Sequence, residues 1–572
     1  MEGIRDCKYY DERLPSVKLE DITSSERNAD ILRKLLDGDS DFTLLYVLDE
    51  AMDDDYMEFI VEGGDDLGWL GYLIGQNDVL QELFINCRMP VQNDAFIGGI
   101  SRNRSIEDLV MHDFPKYNTD LGSFFRDNKN LTSFTMESFF MDNDLSRNLA
   151  SVLAQNKTLK RLTFDHGDFA LDGEVFAQIV RGLGAQCQLE DVSLEYNNIG
   201  NTGCAALGTT ITGWNDSKLK TLNLTSNDID DEGLRMLLGV MTNCRNLTEL
   251  KLCCNSFSVV GLRSLSTFLS SKSCILEHLS LSDVDMDNDG AEALAAGLMK
   301  FTSLQYLDLS CNMIGDEGLA ALVSGIRATA ANSSLETLQL SHNRFSMAGV
   351  RSISSLISLD SLKSFQHLEL KGIDIGDEEA KVLADALVHN KSLLRLSLDI
   401  LSSSKSVWKT FSRMLCDTSS INNIYSSNHT LERICSWEES VPVEKYLHLN
   451  RLKEFIEPSE HHWIPMRKIL MHNPDLADIK PFFQWKLKFL PMMVAWFKTA
   501  EACRSYFDES AEAFQSRSLS VVYKFIRGMP LLAADGFWSQ QLKQIRKKKR
   551  RLEEEEKQVL ERLGRRQRAS SI

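Results

Sequence analysis

From Leu219 the chain reads Leu-x-x-Leu222-x-Leu224-x-x-Asn227-x-Ile229, then Gly233, then an apolar run with helical spacing. The same pattern restarts at Leu189 (Asn197, Ile199, Gly203), Leu247 (Asn255, Phe257, Gly261), Leu304 (Asn312, Ile314, Gly318) and Leu335 (Asn343, Phe345, Gly349). Weaker copies start at Leu276, Phe365 and Leu393, and still weaker ones at Leu80, Ile106, Leu131, Leu159 and Ile421. These make thirteen candidate units with a mean period of about 28 residues. The alternating leucines predict a short strand with one inward face. The run after the glycine predicts a helix with one apolar face, as in Ala291, Leu294, Ala295 and Leu298. Asn197, Asn227, Asn255, Asn312 and Asn343 are expected to bond backbone groups where the chain leaves the strand. One strand and one helix of this size cannot bury both apolar faces alone, so the units must stack. The expected fold is α/β: a horseshoe-like solenoid with a parallel inner sheet and outer helices.

A period near 28 with a full helix resembles the ribonuclease-inhibitor type of leucine-rich repeat, a subtype that includes Ran GTPase-activating protein and the sensing halves of NOD-like receptors. The resemblance covers Leu80 to Asn428, and five units match it closely. Val284 and Ile373 replace the turn asparagine in two units, which puts the local turn geometry in question there but not the fold.

The flanks read differently. Residues 1–79 are acidic, and Asp49 to Asp66 holds nine Asp or Glu with no Lys or Arg. The hydrophobic clusters Ile31, Leu32, Leu35, Leu36 and Leu44 to Leu48 lie in this stretch, and Leu67, Trp69, Leu70, Leu73 and Ile74 read as a helix leading into the first strand. It is expected to cap the first core layer of a solenoid spanning 80–430. None of the ten prolines lies between Pro115 and Pro442, and seven lie from Pro442 onward, which marks the far boundary. Residues 431–540 read as a helical, aromatic-rich region containing Trp463, Phe482, Phe483, Trp485 and Trp496, and 541–572 as a charged helical tail. The stretches Asp66-Leu-Gly-Trp-Leu-Gly-Tyr-Leu-Ile-Gly75 and Phe483-Gln-Trp-Lys-Leu-Lys-Phe-Leu-Pro491 are similar to a group of algal, diatom-type leucine-rich-repeat proteins. That likeness brings no activity with it.

Charge and chemistry narrow the function. A net charge of −19 argues against a general nucleic-acid binder. Met1 to Asp6 lacks the apolar core of a secretory signal, and the greasy stretch Pro481 to Phe497 is short and broken by Lys486 and Lys488. The expected location is cytoplasmic, possibly nuclear. The twelve cysteines show no CxxC pair and read as reduced, buried thiols, with Cys204, Cys253 and Cys311 where a small apolar residue would serve. Asp285-Met-Asp287-Asn-Asp289-Gly290 opens like a calcium loop, but Ala296 stands where the bidentate glutamate belongs and Gly290 fills the repeat's own glycine slot. Asp228 to Gly233 is a similar near-match, and His461-His462 has no other ligand at metal spacing. With no phosphate-binding, nucleophile or metalloprotease motif, no cofactor and no enzymatic activity are expected.

The outward strand positions carry the functional expectation. Across thirteen units there are 65 of them, holding sixteen acids and six bases. One sign of charge on a curved wall steers an oppositely charged partner. Glu190, Asp191, Glu195, Glu249, Glu277, Asp283, Asp308, Glu336 and Glu369 are the candidate partner-binding acids, and Tyr196 and Tyr306 the candidate anchors. The expected partner is a protein with a basic surface, and not a membrane, a nucleic acid or a small molecule. The tail Lys543-Gln-Ile-Arg546-Lys-Lys-Lys-Arg-Arg551, followed by Leu552 and four glutamates, reads as a solvated charged helix or short coiled coil, a nuclear-import signal or a nucleic-acid patch. A non-enzymatic interaction scaffold is the main expectation. The alternatives are a GTPase-activating regulator like the Ran activator, from which the basic Gly564 to Arg568 departs, and an immune-type sensor.

Overall fold

The computed structural model describes residues 7–472 except 52–56, 62–63, 87–93, 113–121, 139–142, 168–172, 185–187, 215–216, 243, 374, 400–404, 436–442 and 453–462. The basic tail, the aromatic stretch from Phe482 and the His461-His462 doublet therefore lie outside the described residues. The chain forms two compact units, one of Met1–Leu356 with Leu368–Ile373, the other of Ile357–His367 with Asp374–Ile572.

The first unit is built on the strands β1 (Leu44–Leu48), β2 (Glu58–Ile60), β3 (Glu82–Asn86), β4 (Asp108–His112), β5 (Ser133–Glu137), β6 (Arg161–Asp165), β7 (Asp191–Ser193), β8 (Thr221–Asn223), β9 (Glu249–Lys251), β10 (His278–Ser280), β11 (Tyr306–Asp308), β12 (Thr337–Gln339) and β13 (His367–Leu370, of which Leu368–Leu370 lie here). From β3 onward they pair in sequence order, parallel and in register, for example Glu249↔His278↔Tyr306↔Thr337. A helix follows most strands, such as Asp231–Met241, Asn288–Leu298 and Asp316–Thr329. Between sheet and helices Leu222, Leu224, Leu250, Leu252, Leu279, Leu281, Leu307 and Leu309 are fully buried. Each such leucine contributes roughly 2 kcal/mol. The second unit carries β14 (Arg395–Leu398) and β15 (Arg433–Cys435), paired parallel, with helices Asp377–His389, Lys405–Leu415, Glu444–Arg451 and Trp463–His472. There the buried Lys468 ammonium donates to the Leu415 carbonyl at 2.8 Å and to that of Asn428 at 2.9 Å.

Twelve of the expected units place a strand two residues after their first apolar residue; the thirteenth does not. Ile421 begins a short helix, Ile421–Ser426, capped by the Ser420 hydroxyl accepting from the Asn423 N–H. The strand lies later, at Arg433–Cys435. The segment ahead of Leu80 also differs from expectation. Leu44–Leu48 is β1, a full strand of the sheet, and the order β2-β1-β3 means the chain steps outward to β2 before returning through the helix Gly64–Gln76.

The backbone explains the turns. From β7 to β13 the residue that precedes the asparagine slot is left-handed: Tyr196, Ser226, Cys254, Asp283, Cys311 and His342 have φ between 52 and 57°, and Gly372 has φ 71°. Asn197, Asn227, Asn255, Asn312 and Asn343 are buried. Asn255 shows the pattern: its Oδ1 accepts from the Ile229 N–H at 3.0 Å and its Nδ2 donates to the Leu224 and Leu252 carbonyls at 3.0 and 2.9 Å. At Val284 the left-handed turn is kept without the asparagine. Asp283 keeps φ 55°, and the Phe257 N–H donates directly to the Val284 carbonyl at 3.2 Å. Among the described residues no helix is long and apolar enough to cross a membrane.

Candidate functional site

The sheet face opposite the helices is where the candidate residues gather. Strand pleating turns the third and fifth positions of each unit outward. The register therefore aligns Asp191, Thr221, Glu249, His278, Tyr306 and Thr337 in one row and Ser193, Asn223, Lys251, Ser280, Asp308 and Gln339 in the next. Glu369 stands in the second row on β13. Glu190, Glu277 and Glu336 sit immediately before their strands, while Glu195, Tyr196 and Asp283 follow theirs. Tyr196, Asp283 and Glu336 are exposed, and the other candidates are half-buried.

Several acids are already paired. Lys220 Nζ lies 2.5 Å from Glu190 Oε2, and its bond holds the Glu190 carboxyl below its usual range. Lys251 Nζ lies 2.9 Å from Glu249 Oε1, and Arg161 lies 3.7 Å from Asp108. Glu195 accepts from the Asn223 amide. Asp191, Glu277, Asp283, Asp308, Glu336 and Glu369 are in no ion pair among the described residues.

Tyr306 is the best-defined point of this face. Its ring stacks on His278 at 5.7 Å and 20°. Burial pushes its phenol up to about 12, with the carboxylates of Asp308, Glu369 and Glu249 and the thiol of Cys253 adding to the effect. Tyr196 stacks on His166 at 4.5 Å and 11°, both held on left-handed backbone. The histidine partners of the two tyrosines escaped the sequence reading, although their spacing within the repeat is the same regular signal. The face is not acidic throughout: in the second row the first strands present Tyr46, Phe84 and Val110, with Tyr46 stacked on Phe84 at 4.7 Å.

The calcium-like loop does other work. Asp287 Oδ1 accepts from the Gly290 N–H at 2.9 Å, capping its own helix. Asp285 accepts from the Ser256 hydroxyl at 2.9 Å. Asn288 reaches the next unit, accepting from the Gly315 and Gly318 N–H groups at 2.7 and 3.2 Å. In the same way Asp230 caps its own helix through the Glu232 and Gly233 N–H groups. The cysteine expectation needs one correction: Cys204 is buried, but Cys253 is half-buried and Cys311 exposed, because the outward and left-handed positions turn those thiols from the core.

A strand-and-helix unit stacked in register, with a buried asparagine at five of its turns, defines a leucine-rich-repeat array. A family model described as Leucine Rich repeat matches residues 186–208, 215–238, 272–295, 302–323 and 331–354. Ribonuclease inhibitor of the pig, Sus scrofa, is 26% identical over 272 residues, covering 42% of this chain and 58% of its own. A mouse protein named NACHT, LRR and PYD domains-containing protein 14 is also 26% identical over 272 residues, covering 47% of this chain and 26% of its own. The chain thus spans under two thirds of either relative. A solved internalin from Listeria monocytogenes aligns over 61% of this chain and 96% of its own at 15% identity with a TM-score of 0.33. The chain thus carries leucine-rich repeats and is similar to ribonuclease inhibitor.

Proposed function

We propose that the chain is a non-enzymatic binding protein that holds a partner protein with a cationic surface on the outer face of its first unit's sheet. One observation carries this reading. Among the described outward positions of the first unit from β3 onward, fourteen acids face five bases, a surplus of nine negative charges. Three of those bases, Arg161, Lys220 and Lys251, are held by acids of the same face. A surplus of one sign on a rigid sheet raises the encounter rate with an oppositely charged surface and fixes its register. Tyr306, stacked and ringed by carboxylates, fits an anchor for a lysine or arginine of that partner. Similarity to a protein named ribonuclease inhibitor supports a protein ligand over a small molecule. The eight described cysteines from Cys204 to Cys435 are free thiols, which suits a reducing compartment.

The test compares the chain with one carrying Glu190→Lys, Glu277→Lys, Asp308→Lys and Glu336→Lys, each used to recover partners from native lysate. Basic proteins retained by the first and lost by the second, and released by moderate salt, are expected. The same set on both would move the binding site off this face.

A further inference from the structure

Histidine is concentrated on the acidic face. The chain has 11 histidines in 572 residues, and even scatter would put about one among the 60 outward positions of the twelve units that place a strand; five fall there: His112, His166, His278, His342 and His367. Four of them belong to the first unit. His112 Nε2 lies 2.8 Å from Glu137 Oε2 on β5, while β3 offers only the uncharged Asn86 on its other side. His166 Nδ1 lies 3.0 Å from Asp165 Oδ1, its ring lies on Tyr196, and Glu137 and Glu195 occupy the neighbouring units. His278 stands between Glu249 and Tyr306 in the strand register, with Lys251 and Asp308 diagonal to it. His342 is exposed between Cys311 and Gly372, beside Lys371.

We propose that these four histidines make the face's hold on a cationic partner pH-dependent, tight near pH 7.5 and released toward pH 5.5. The inference rests on the binding reading above. Imidazole is the side chain that ordinarily gains its charge between pH 8 and 5. Four imidazolium charges reduce the surplus of nine negative charges to five. The loss is also local. Charged His112 and His166 hold Glu137 and Asp165 more firmly and withdraw them from a partner. Charged His278 puts a like charge against the Tyr306 ring, where the partner's cation would sit.

The probe is a hexa-arginine peptide acetylated at its N-terminus and amidated at its C-terminus, whose own charge does not change over this range. Calorimetry on the full chain at low salt is expected to show affinity falling roughly five- to tenfold from pH 7.5 to 5.5. With His112→Gln, His166→Gln, His278→Gln and His342→Gln combined, affinity stays within about twofold over the same range, since seven other histidines remain. An unchanged pH dependence in that variant overturns the proposal and leaves the binding reading standing. No binding of the peptide at pH 7.5 overturns both. Should the fourfold variant misfold, the pair His166→Gln with His278→Gln is expected to remove about half of the effect, and a pair that removes none overturns the proposal.

Discussion

At Asn255 one side chain serves two N–H groups and one carbonyl of the preceding unit and two carbonyls of its own, at 2.9 to 3.3 Å. Asn255→Ala would strand these groups without water, at a cost of about 3 kcal/mol. The expected result is a lower urea midpoint together with faster hydrogen exchange at the Ile229 amide. Tyr306 gives a second residue-scale prediction. A phenol raised to about 12 favours the neutral form in the folded state. The stability it contributes is full below pH 10 and is lost as pH rises toward 12. Tyr306→Phe should remove that alkaline loss, and the difference between the two ultraviolet titrations should show one phenol ionising late. The asparagine after the strand was legible because it recurs at one offset from the leucines. An equally regular asparagine before the strand was overlooked: Asn77, Asn103, Asn128, Asn156, Asn390 and Asn428 each accept from the N–H three residues on. That spacing, Asn428-x-x-Leu431, marks the true start of the last unit where Ile421 misled.

Between elements, each helix start is tied to its neighbour. Asp316, in the first turn of its own helix, accepts from the Ser346 and Gly349 N–H groups at 2.8 and 2.7 Å and so caps the next helix. Asp231 does the same for Ser258 and Gly261. Asp316→Ala should cost about 1 to 2 kcal/mol, measured by urea unfolding. Burial works to raise the Asp316 carboxyl, but the Ser346 and Gly349 bonds outweigh it and hold the group below its usual range. Its contribution is therefore present above about pH 4 and lost as pH falls further, so the variant and the parent should converge in acid. In a single sequence these aspartates look like surface charge, since their partners lie about 30 residues away. The helix layer also depends on closeness: a Cβ on Gly99 would lie 2.1 Å from the backbone of Gly71. Gly99→Ala should push the helices Gly64–Gln76 and Asp94–Ile100 apart and lower the melting temperature.

For the whole molecule, a repeat array must protect its ends. In the first unit the edge strand β2 is closed by Asn28, whose Oδ1 accepts from the Ile60 N–H at 3.0 Å and whose Nδ2 donates to the Ile60 carbonyl at 2.7 Å. Arg27 lies 3.2 Å from the buried Glu58 on the same strand. Both side chains come from the helix Glu26–Asp37. Asn28→Ala should bare that edge, and sedimentation is expected to show self-association that the parent lacks.

The period of leucines and asparagines by itself determined the class of fold, the positions of twelve strands and which side chains face out. It did so because a solenoid satisfies its chemistry unit by unit, so each local pattern has the same physical meaning wherever it recurs. Tertiary structure alone decided what breaks that locality. It placed β2 outside β1 and bound Asn28 to a strand 32 residues away. It set Asp316 on another unit's helix and matched histidines to acids and tyrosines across neighbouring strands. Those pairings depend on register and spacing in three dimensions, which no single unit's sequence contains.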